Sequence, residues 1–297
     1  MAKKRQFTYN RRQSKPEMFM ENDFLFFDID GTLIDPSTRS TPRSASEAIK
    51  EVKSNGGLIF ICSGRPYYEI QETFGIERNG AVFASGAGFE LDGKLVLKRV
   101  FDPQLARTIM KKAEECRVGY NLLCLEHGYS DPLWHNMVFE PLRNLPASIA
   151  NRMLIHPFYT VGNYPVEKYA DEDIFKINVQ YFPDSDRASF LEFVEPLTTY
   201  VPVNSQMNLA NSGAEISPID VNKGTGVLMV VTHYHGNMEN TYGFGDSLND
   251  LEMIKECAHG IVMGNGQKEL KAYADYITTD VDKDGIKNAL LHYGLCR

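Results

Sequence analysis

Apolar residues follow two alternating patterns along the chain. Continuous apolar runs at 24–27 and 58–62 are typical of strands that are buried on both faces of a parallel sheet. Between them, apolar residues recur at helical spacing from Ala45 to Val52, and the glycine at position 56 ends that pattern. Because crossovers between parallel strands are right-handed, this order predicts a βαβ unit of an α/β fold.

The pattern changes near Gly86, after a further apolar run at 81–84. An Asp-Gly pair at 92–93, between two short strand-like segments, predicts a β-hairpin. Strand-like runs at 120–125 and 174–182 follow, with helical patterns before and after them. This mixture is typical of an α+β unit.

A long separation divides the chain into two parts. Ser63 and Lys223 are 160 positions apart, far more than one crossover requires, and the alternating pattern returns only after this interval. We therefore predict a Rossmann-like parallel-sheet core, formed by residues 23–86 and 213–297. An inserted α+β cap domain, residues 87–212, should interrupt it.

The charge and composition of the chain disfavour several classes of protein. The net charge of −8 disfavours general nucleic-acid binding, but it is compatible with a pocket for a small phosphorylated anion. Basic residues crowd segment 1–22, which lacks an apolar run, so we expect a flexible tail rather than a signal peptide. No stretch of the sequence approaches the roughly 18 apolar residues of a membrane span.

Cysteine usage indicates the compartment. The five cysteines have no close pairing, which favours a reducing cytosol over a disulfide framework. Cys62 lies beside Ser63, but its better interpretation is a small buried apolar residue. We therefore expect a soluble cytoplasmic protein without a membrane partner, and the sequence leaves its oligomeric state open.

Two carboxylates, Asp28 and Asp30, follow the first apolar run. Alternate residues of a strand share a face, so both side chains can converge on one reacting group, and Gly31 permits a tight turn beside them. Taken alone, this pattern is as typical of a solvated acidic turn as of catalysis.

Three further motifs lie where predicted elements begin or end. A Ser-Gly-Arg string at 63–65 follows the second apolar run, Lys223 opens a helical pattern, and a Gly-Asp-Ser-Leu-Asn-Asp string occupies 245–250. Taken separately, these are ordinary helix caps, exposed cations or acidic first turns. However, ligands of open α/β sheets bind outside the carboxyl ends of the strands, so these motifs can meet in one crevice.

Together, the strings FDIDGTL, SGRP, EISPIDVNKG and GDSLND resemble the signature of haloacid dehalogenase (HAD) superfamily phosphatases. The position of the predicted cap, between the second and third motifs, resembles the Cof-type (IIB) branch. The resemblance covers most of the chain from Asp23 onward. It departs at Ser85, where family members often have asparagine, and in the basic amino-terminal arm.

The resemblance implies Mg²⁺-dependent hydrolysis of a small phosphomonoester, with sugar phosphates favoured. Asp28 is the candidate nucleophile, which would form an aspartyl-phosphate that water later cleaves. Asp30 would protonate the leaving oxygen and then accept a proton from the attacking water. Ser63, as a hydroxyl donor, and Lys223, as a positive charge, would complete the catalytic set with these two aspartates. The candidates for positioning the phosphoryl group are Ser63, Gly64, Lys223 and Asn249.

Oxygen ligands suit magnesium, and the sequence has no His/Cys cluster with zinc spacing. The resemblance implies ligation by the Asp28 carboxylate, the backbone carbonyl of Asp30 and the Asp246 carboxylate. Asp250 would serve either as a further ligand or as support for the other ligands.

The predicted cap should select the substrate, but its sequence indicates few specific residues. Several side chains could face a sugar or nucleotide, although core packing or solvation is the more ordinary interpretation of each. They are His127, Trp134, His135, Lys176, Asn178, Asn204 and Asn208.

Other functions remain open at this point. A phosphomutase would use the same intermediate but return the group to an organic hydroxyl. A phospho-ligand sensor would bind with little turnover. A dehalogenase is less favoured, because Asp30 supplies a leaving-group acid.

Overall fold

The computed structural model describes residues 22–71, 74–143, 163–203 and 213–297. The strands in these ranges are β1 (Phe24–Phe27), β2 (Leu58–Cys62), β3 (Gly80–Phe83), β4 (Gly88–Leu91), β5 (Lys94–Lys98), β6 (Gly119–Leu123), β7 (Gly128–Ser130), β8 (Asn163–Pro165), β9 (Lys176–Gln180), β10 (Thr198–Val203), β11 (Gly213–Pro218), β12 (Thr241–Gly245), β13 (His259–Val262) and β14 (Tyr276–Ile277). The α-helices in the same ranges are α1 (Arg43–Ser54), α2 (Pro103–Glu115), α3 (Pro132–Arg143), α4 (Arg187–Val194), α5 (Lys223–His233), α6 (Leu251–Glu256), α7 (Lys268–Lys271) and α8 (Gly285–His292).

The larger sheet has the strand order β14-β13-β12-β1-β2-β3-β4-β5. Its strands from β14 to β3 are parallel, while β4 and β5 are antiparallel to their neighbours. β1 consists of four consecutive apolar residues and is buried between β2 and β12. The predicted α/β fold with a Rossmann-like parallel sheet is confirmed.

Helices cover both faces of this sheet, because alternate residues of β1 point in opposite directions. Leu25 and Phe27 pack in a cluster with apolar residues of α1 and α8. Phe24 and Phe26 pack on the other face in a cluster with residues of α5 and α6. Because β1 is packed on both faces, the position of the next residue, Asp28, is well defined.

The smaller sheet has the order β10-β11-β9-β6-β7-β8 and is antiparallel except between β7 and β8. α2 and α4 cover it through residues such as Ile109 and Phe190. α2 begins as its sequence indicates, since the Asp102 side chain accepts hydrogen bonds from the backbone of Gln104 and Leu105. The mixed α+β character expected of the insertion is present here.

Strand pairing beside the expected domain bounds, 86/87 and 212/213, connects segments from the two sides of each bound. The predicted hairpin forms as β4 and β5, but it pairs with β3 and extends the larger sheet. β11 instead pairs with β9 and β10 in the smaller sheet. The local pattern of a strand does not encode which sheet edge it joins, because that choice depends on the main-chain groups of other strands.

Some expectations lie outside the described ranges. These include the tail up to residue 21 and the cap candidates Asn204 and Asn208. Asn22, at the end of the expected tail, is described and donates a hydrogen bond to the carbonyl of Gly56. Within the described ranges, no helix combines the length and apolar character needed to cross a bilayer.

Candidate active site

The carboxyl ends of three adjacent parallel strands bring the predicted motifs together. Asp28 follows β1, Ser63 follows β2 and Asp246 follows β12. The Asp28 backbone N–H donates to the Phe244 carbonyl at 3.0 Å, which continues the ladder beyond β1 and orients the first carboxylate.

Lys223 joins the Asp28 carboxylate to that of Asp250. Its Nζ donates to Asp28 Oδ1 at 2.6 Å and to Asp250 Oδ1 at 2.5 Å, and the Lys223 side chain is fully buried. The first turn of α5 holds the lysine through a capping box, in which Asn222 and Thr225 exchange side-chain and backbone hydrogen bonds. Burial alone would lower the pKa of Lys223, but the two carboxylates raise it well above its usual value. The ammonium therefore stays charged.

Asp250 uses both of its carboxylate oxygens. Oδ1 accepts from Lys223, and Oδ2 accepts from the backbone N–H groups of Asp246 and Ser247, each at 3.0 Å. Asp250 thus connects the buried lysine to the loop that carries Asp246.

Asp28, Asp246 and Asp250 form an acidic cluster whose nearest oxygens lie within 4.8 Å of one another. Burial, followed by the charge of Asp250, raises the pKa of Asp28. Burial, followed by the charge of Asp28, raises the pKa of Asp246. Asp246 Oδ1 is buried without a hydrogen-bond partner in the described part of the chain. Crowded carboxylates with an unused oxygen fit a hard divalent cation, which would relieve their repulsion.

Gly31 gives Asp246 room. It has a φ of +83°, and a β-carbon placed there would lie 2.6 Å from Asp246 Oδ2. Glycine is therefore needed at position 31 for two reasons. It adopts the positive φ of the turn, and its lack of a side chain leaves space for the Asp246 carboxylate.

Asp30 lies at the mouth of the site, with a side chain that is 58% exposed. Arg65 holds it in a bidentate ion pair, with Nε donating to Oδ2 at 2.8 Å and Nη2 donating to Oδ1 at 2.5 Å. Arg65 belongs to the Ser-Gly-Arg string, but its role in the site was not predicted from the sequence. Its spacing from Ser63 was the available signal, since both follow the same strand.

A cavity of about 210 Å³ opens beside these groups. Its wall on the side of the larger sheet contains five of the predicted site residues: Asp28, Asp30, Ser63, Gly64 and Asn249. Ser63 Oγ accepts from the Arg65 backbone N–H at 3.2 Å, and Asn249 Oδ1 accepts from Ser247 Oγ at 2.7 Å. The structure therefore brings the four motifs to one place.

The smaller sheet supplies the opposite wall through Leu123, Lys176, Asn178 and Glu215. Lys176 donates to the Gly64 carbonyl and pairs with Glu215 Oε1 at 3.0 Å. Glu215 Oε2 accepts from the hydroxyl of Ser85 at 3.0 Å. Ser85, where the motif departs from the family pattern, has a φ of 58° and so takes the left-handed conformation that asparagine also tolerates.

The cap candidates separate into two groups. Lys176 and Asn178 line the cavity, whereas His127 lines a second cavity beside Glu172, and Trp134 is buried outside the first cavity's lining. His135 also lies outside that lining. Two further carboxylates that line the cavity, Glu69 and Glu215, were not predicted from the sequence, although Glu215 opens the EISPIDVNKG string.

Comparison with known proteins agrees with this geometry. Residues 25–290 match the family model of haloacid dehalogenase-like hydrolases. The chain is 26% identical over 290 residues to the candidate phosphatase YkrA of Bacillus subtilis (strain 168), covering 94% of this chain and 100% of YkrA.

Two solved structures show the same fold. The HAD subclass IIB sugar phosphatase BT4131 has a TM-score of 0.73 and 23% identity, with coverage of 92% of this chain and 100% of that one. A haloacid dehalogenase-like hydrolase from B. subtilis has a TM-score of 0.75 and 22% identity, with coverage of 91% and 99%.

A parallel sheet whose strand ends gather aspartates around a buried lysine is the framework of a phosphoryl-transfer hydrolase. This chain belongs to the haloacid dehalogenase-like hydrolase family. The resemblance to Cof-type phosphatases that the motifs indicated is confirmed.

Proposed function

We propose that this protein is a Mg²⁺-dependent phosphatase that hydrolyses a small soluble phosphomonoester in the cytoplasm, with sugar phosphates favoured. The observation that carries this proposal is the contact of one buried ammonium, Lys223, with both Asp28 and Asp250. Similarity to a protein named as a candidate phosphatase and to a sugar phosphatase supports the same function.

Asp28 is the nucleophile in this mechanism. Its carboxylate oxygen forms a bond to phosphorus while the ester P–O bond breaks, and the electron pair of that bond passes to the leaving oxygen. Lys223 holds Asp28 through Oδ1 and supplies positive charge beside the transferring group. Water then attacks the phosphorus of the aspartyl-phosphate, which releases inorganic phosphate and restores the carboxylate.

Asp30 serves as the general acid and base. It donates a proton to the leaving oxygen in the first step and accepts one from water in the second. Its ion pair with Arg65 stabilises the anionic form. We infer that an entering phosphate competes for the guanidinium, which frees Asp30 to take up a proton and turn toward the ester.

Three groups would hold Mg²⁺: the carboxylates of Asp28 and Asp246 and the backbone carbonyl of Asp30. When bound, the ion would neutralise charge on the phosphoryl oxygens. We assign Asp250 to holding Lys223 and the Asp246 loop rather than to the metal, because both of its oxygens already accept hydrogen bonds. Ser63, Gly64 and Asn249 would position the phosphoryl oxygens from the cavity wall.

In this proposal the two sheets have different functions. The larger sheet forms the catalytic core, and the smaller sheet forms a cap that contacts the organic group of the substrate. The cavity between Ser63 on one wall and Lys176 on the other supports this division. Opening of the cap would admit the substrate, and closure would exclude water from the reacting groups.

A phosphate-release screen over a broad set of phosphomonoesters tests the proposal. Purified protein with Mg²⁺ should release inorganic phosphate, and Asp28→Asn should abolish the release. Trapping with BeF₃⁻ should occupy Asp28 in the wild type only. Normal turnover by the Asp28→Asn variant would reject the mechanism, whereas transfer of phosphate to a second hydroxyl would identify a mutase instead.

A further inference from the structure

Glu69 places a buried carboxylate in the cavity wall, and the mechanism above does not use it. The residue ends a short 3₁₀ turn, Tyr67–Glu69, that follows the Ser-Gly-Arg motif. Its side chain is about 2% exposed, and Oε1 has no hydrogen-bond partner among the residues that the structure describes. A buried carboxylate oxygen without a partner is unfavourable, so its retention needs an explanation.

The turn that carries Glu69 is wedged between the two sheets. The Tyr67 ring packs on Phe83 of the larger sheet, with centroids 5.0 Å apart. The Tyr68 hydroxyl reaches the smaller sheet, where it would lie 3.1 Å from a β-carbon at Gly128. These contacts on both sides hold Glu69 at the cavity instead of letting it turn toward solvent.

The cations near Glu69 already have other carboxylates as partners. Arg65 makes its bidentate ion pair with Asp30, and Lys176 pairs with Glu215. Burial raises the pKa of Glu69 to about 7, even though Arg65 and Lys176 oppose the shift. The cavity therefore contains a surplus hydrogen-bond acceptor.

Asn178 supplies a second acceptor from the cap wall. It lies on β9 two positions after Lys176, so both side chains share one face of the strand. Asn178 Oδ1 is buried and, like Glu69 Oε1, has no hydrogen-bond partner in the described ranges. Leu123 contributes apolar surface to the same wall.

The two walls are held close together at Gly64. A β-carbon there would lie 3.1 Å from both Lys176 Nζ and Glu215 Oε1. The acceptors on the cap wall and on the 3₁₀ turn therefore lie near the loop expected to bind phosphate. An organic group attached to that phosphate would enter the space that Glu69, Asn178 and Leu123 line.

We propose that Glu69 and Asn178 form an acceptor subsite that recognises hydroxyl or ammonium donors on the organic group of the substrate. The inference rests on the proposed phosphatase function and specifies its substrate class. Phosphomonoesters of polyols or amino sugars fit, because their donors satisfy both unpaired oxygens. Esters whose organic group ends in a carboxylate or a second phosphate do not fit, because they bring further acceptors toward Glu69. Neither residue takes part in bond making.

Substrate comparison with the full-length, Mg²⁺-loaded protein tests this inference. The probes are glucose 6-phosphate, glucosamine 6-phosphate, 3-phosphoglycerate and p-nitrophenyl phosphate, whose organic group has no donors. The measured quantity is kcat/KM for each sugar phosphate divided by kcat/KM for p-nitrophenyl phosphate. Glu69→Ala and Asn178→Ala should each lower this ratio at least about tenfold, mainly through KM.

A conservative variant tests whether the charge of Glu69 matters, and a matched control tests whether the effect is specific to this cavity. Glu69→Gln keeps the size of the side chain and one acceptor oxygen but removes the charge. It should lower the ratio of glucosamine 6-phosphate to glucose 6-phosphate, since the ammonium loses an ionic partner. Glu126→Ala removes an exposed carboxylate that lines the separate cavity and should leave every ratio unchanged.

The outcomes distinguish the two proposals. Unchanged ratios in Glu69→Ala and Asn178→Ala, with Asp28→Asn inactive, overturn the acceptor subsite and leave the phosphatase intact. A wild-type preference for 3-phosphoglycerate over both sugar phosphates also overturns the subsite. If the alanine variants do not fold, the response of Glu69→Gln decides. If the wild type hydrolyses no ester, the proposed function fails and this inference fails with it.

Discussion

Lys223 Nζ lies 2.6 Å from Asp28 Oδ1, although 195 positions separate the two residues in the chain. The contact forms because α5 begins beside the carboxyl end of β1. It connects the proposed nucleophile to Asp250 through a single buried ammonium. Both the stability and the chemistry of the site should therefore depend on this cation.

Lys223→Met keeps the length of the side chain and removes its charge. We expect phosphate release to fall at least about a hundredfold, because an electrostatic stabiliser of the transferring group is lost. The free energy of unfolding should fall by about 3–5 kcal/mol, since two buried carboxylates lose their cation. Lys255→Met, at a surface ion pair on α6, is the control and should cost less than about 1 kcal/mol. Normal turnover by folded Lys223→Met protein would contradict this role.

Magnesium should be required for turnover, and the two acidic residues after β12 should respond differently to substitution. Chelation should abolish phosphate release, and added Mg²⁺ should restore it. Asp246→Asn should weaken Mg²⁺ binding at least about tenfold. Asp250→Asn should weaken it less, because Asp250 holds Lys223 and backbone N–H groups.

Titration of Mg²⁺ against thermal melting measures both affinities. Full activity in protein verified as metal-free would reject the metal. A larger loss of affinity in Asp250→Asn than in Asp246→Asn would make Asp250 a direct ligand.

Arg65→Lys should lower kcat/KM about tenfold. An ammonium cannot make the two parallel hydrogen bonds by which the guanidinium orients Asp30. The matched control is Arg107→Lys, at an exposed ion pair with Asp171, which should leave kcat/KM unchanged. Steady-state kinetics of both variants tests the assignment, and equal values would remove Arg65 from the site.

Gly31→Ala and Gly93→Ala separate backbone strain from a clash at the site. Both glycines have positive φ, so each substitution should cost about 1–2 kcal/mol of stability. Only the β-carbon at position 31 would meet Asp246, at 2.6 Å from Oδ2, whereas a β-carbon at position 93 would have no atom of the described residues within 4 Å. Mg²⁺ affinity should therefore fall in Gly31→Ala and stay unchanged in Gly93→Ala. Equal affinities would indicate that the site adapts.

Glu69 should make stability depend on pH. Its pKa is raised from 4.5 to about 7 by burial, so its contribution to stability is complete below about 4.5 and is lost as the pH rises through 7. The charged groups that influence it are Arg65, Lys176 and Asp30.

Replacement of Glu69 by Gln removes this titration. The free energy of unfolding of Glu69→Gln relative to the wild type should therefore rise between pH 5 and pH 8, by about 3 kcal/mol at most. Denaturant unfolding at both pH values measures the difference. Glu126→Gln is the exposed control. A pH-independent difference for Glu69→Gln would show that folding does not shift the pKa of this carboxyl from its value in the unfolded chain.

The sequence by itself determined the elements with strong local signals. The wholly apolar run of β1 and the helical repeat of α1 indicated a buried parallel sheet, and the polar residues directly after the strands indicated where a site would lie. The start of α2 likewise depends on a local contact, the cap that the Asp102 side chain forms with the backbone of Gln104 and Leu105. Such features depend on residues only a few positions apart, so their physical causes are readable from the chain.

The tertiary structure decided the features that depend on a partner in another element. It placed the hairpin of β4 and β5 in the larger sheet, and it occupied both oxygens of Asp250. It also left Glu69 without a hydrogen-bond partner for Oε1 in the described part of the chain. Strand edges, buried charges and cavity walls are completed by contacts between different elements, such as the contact of Lys223 with Asp28, and the pattern within one element does not record those contacts.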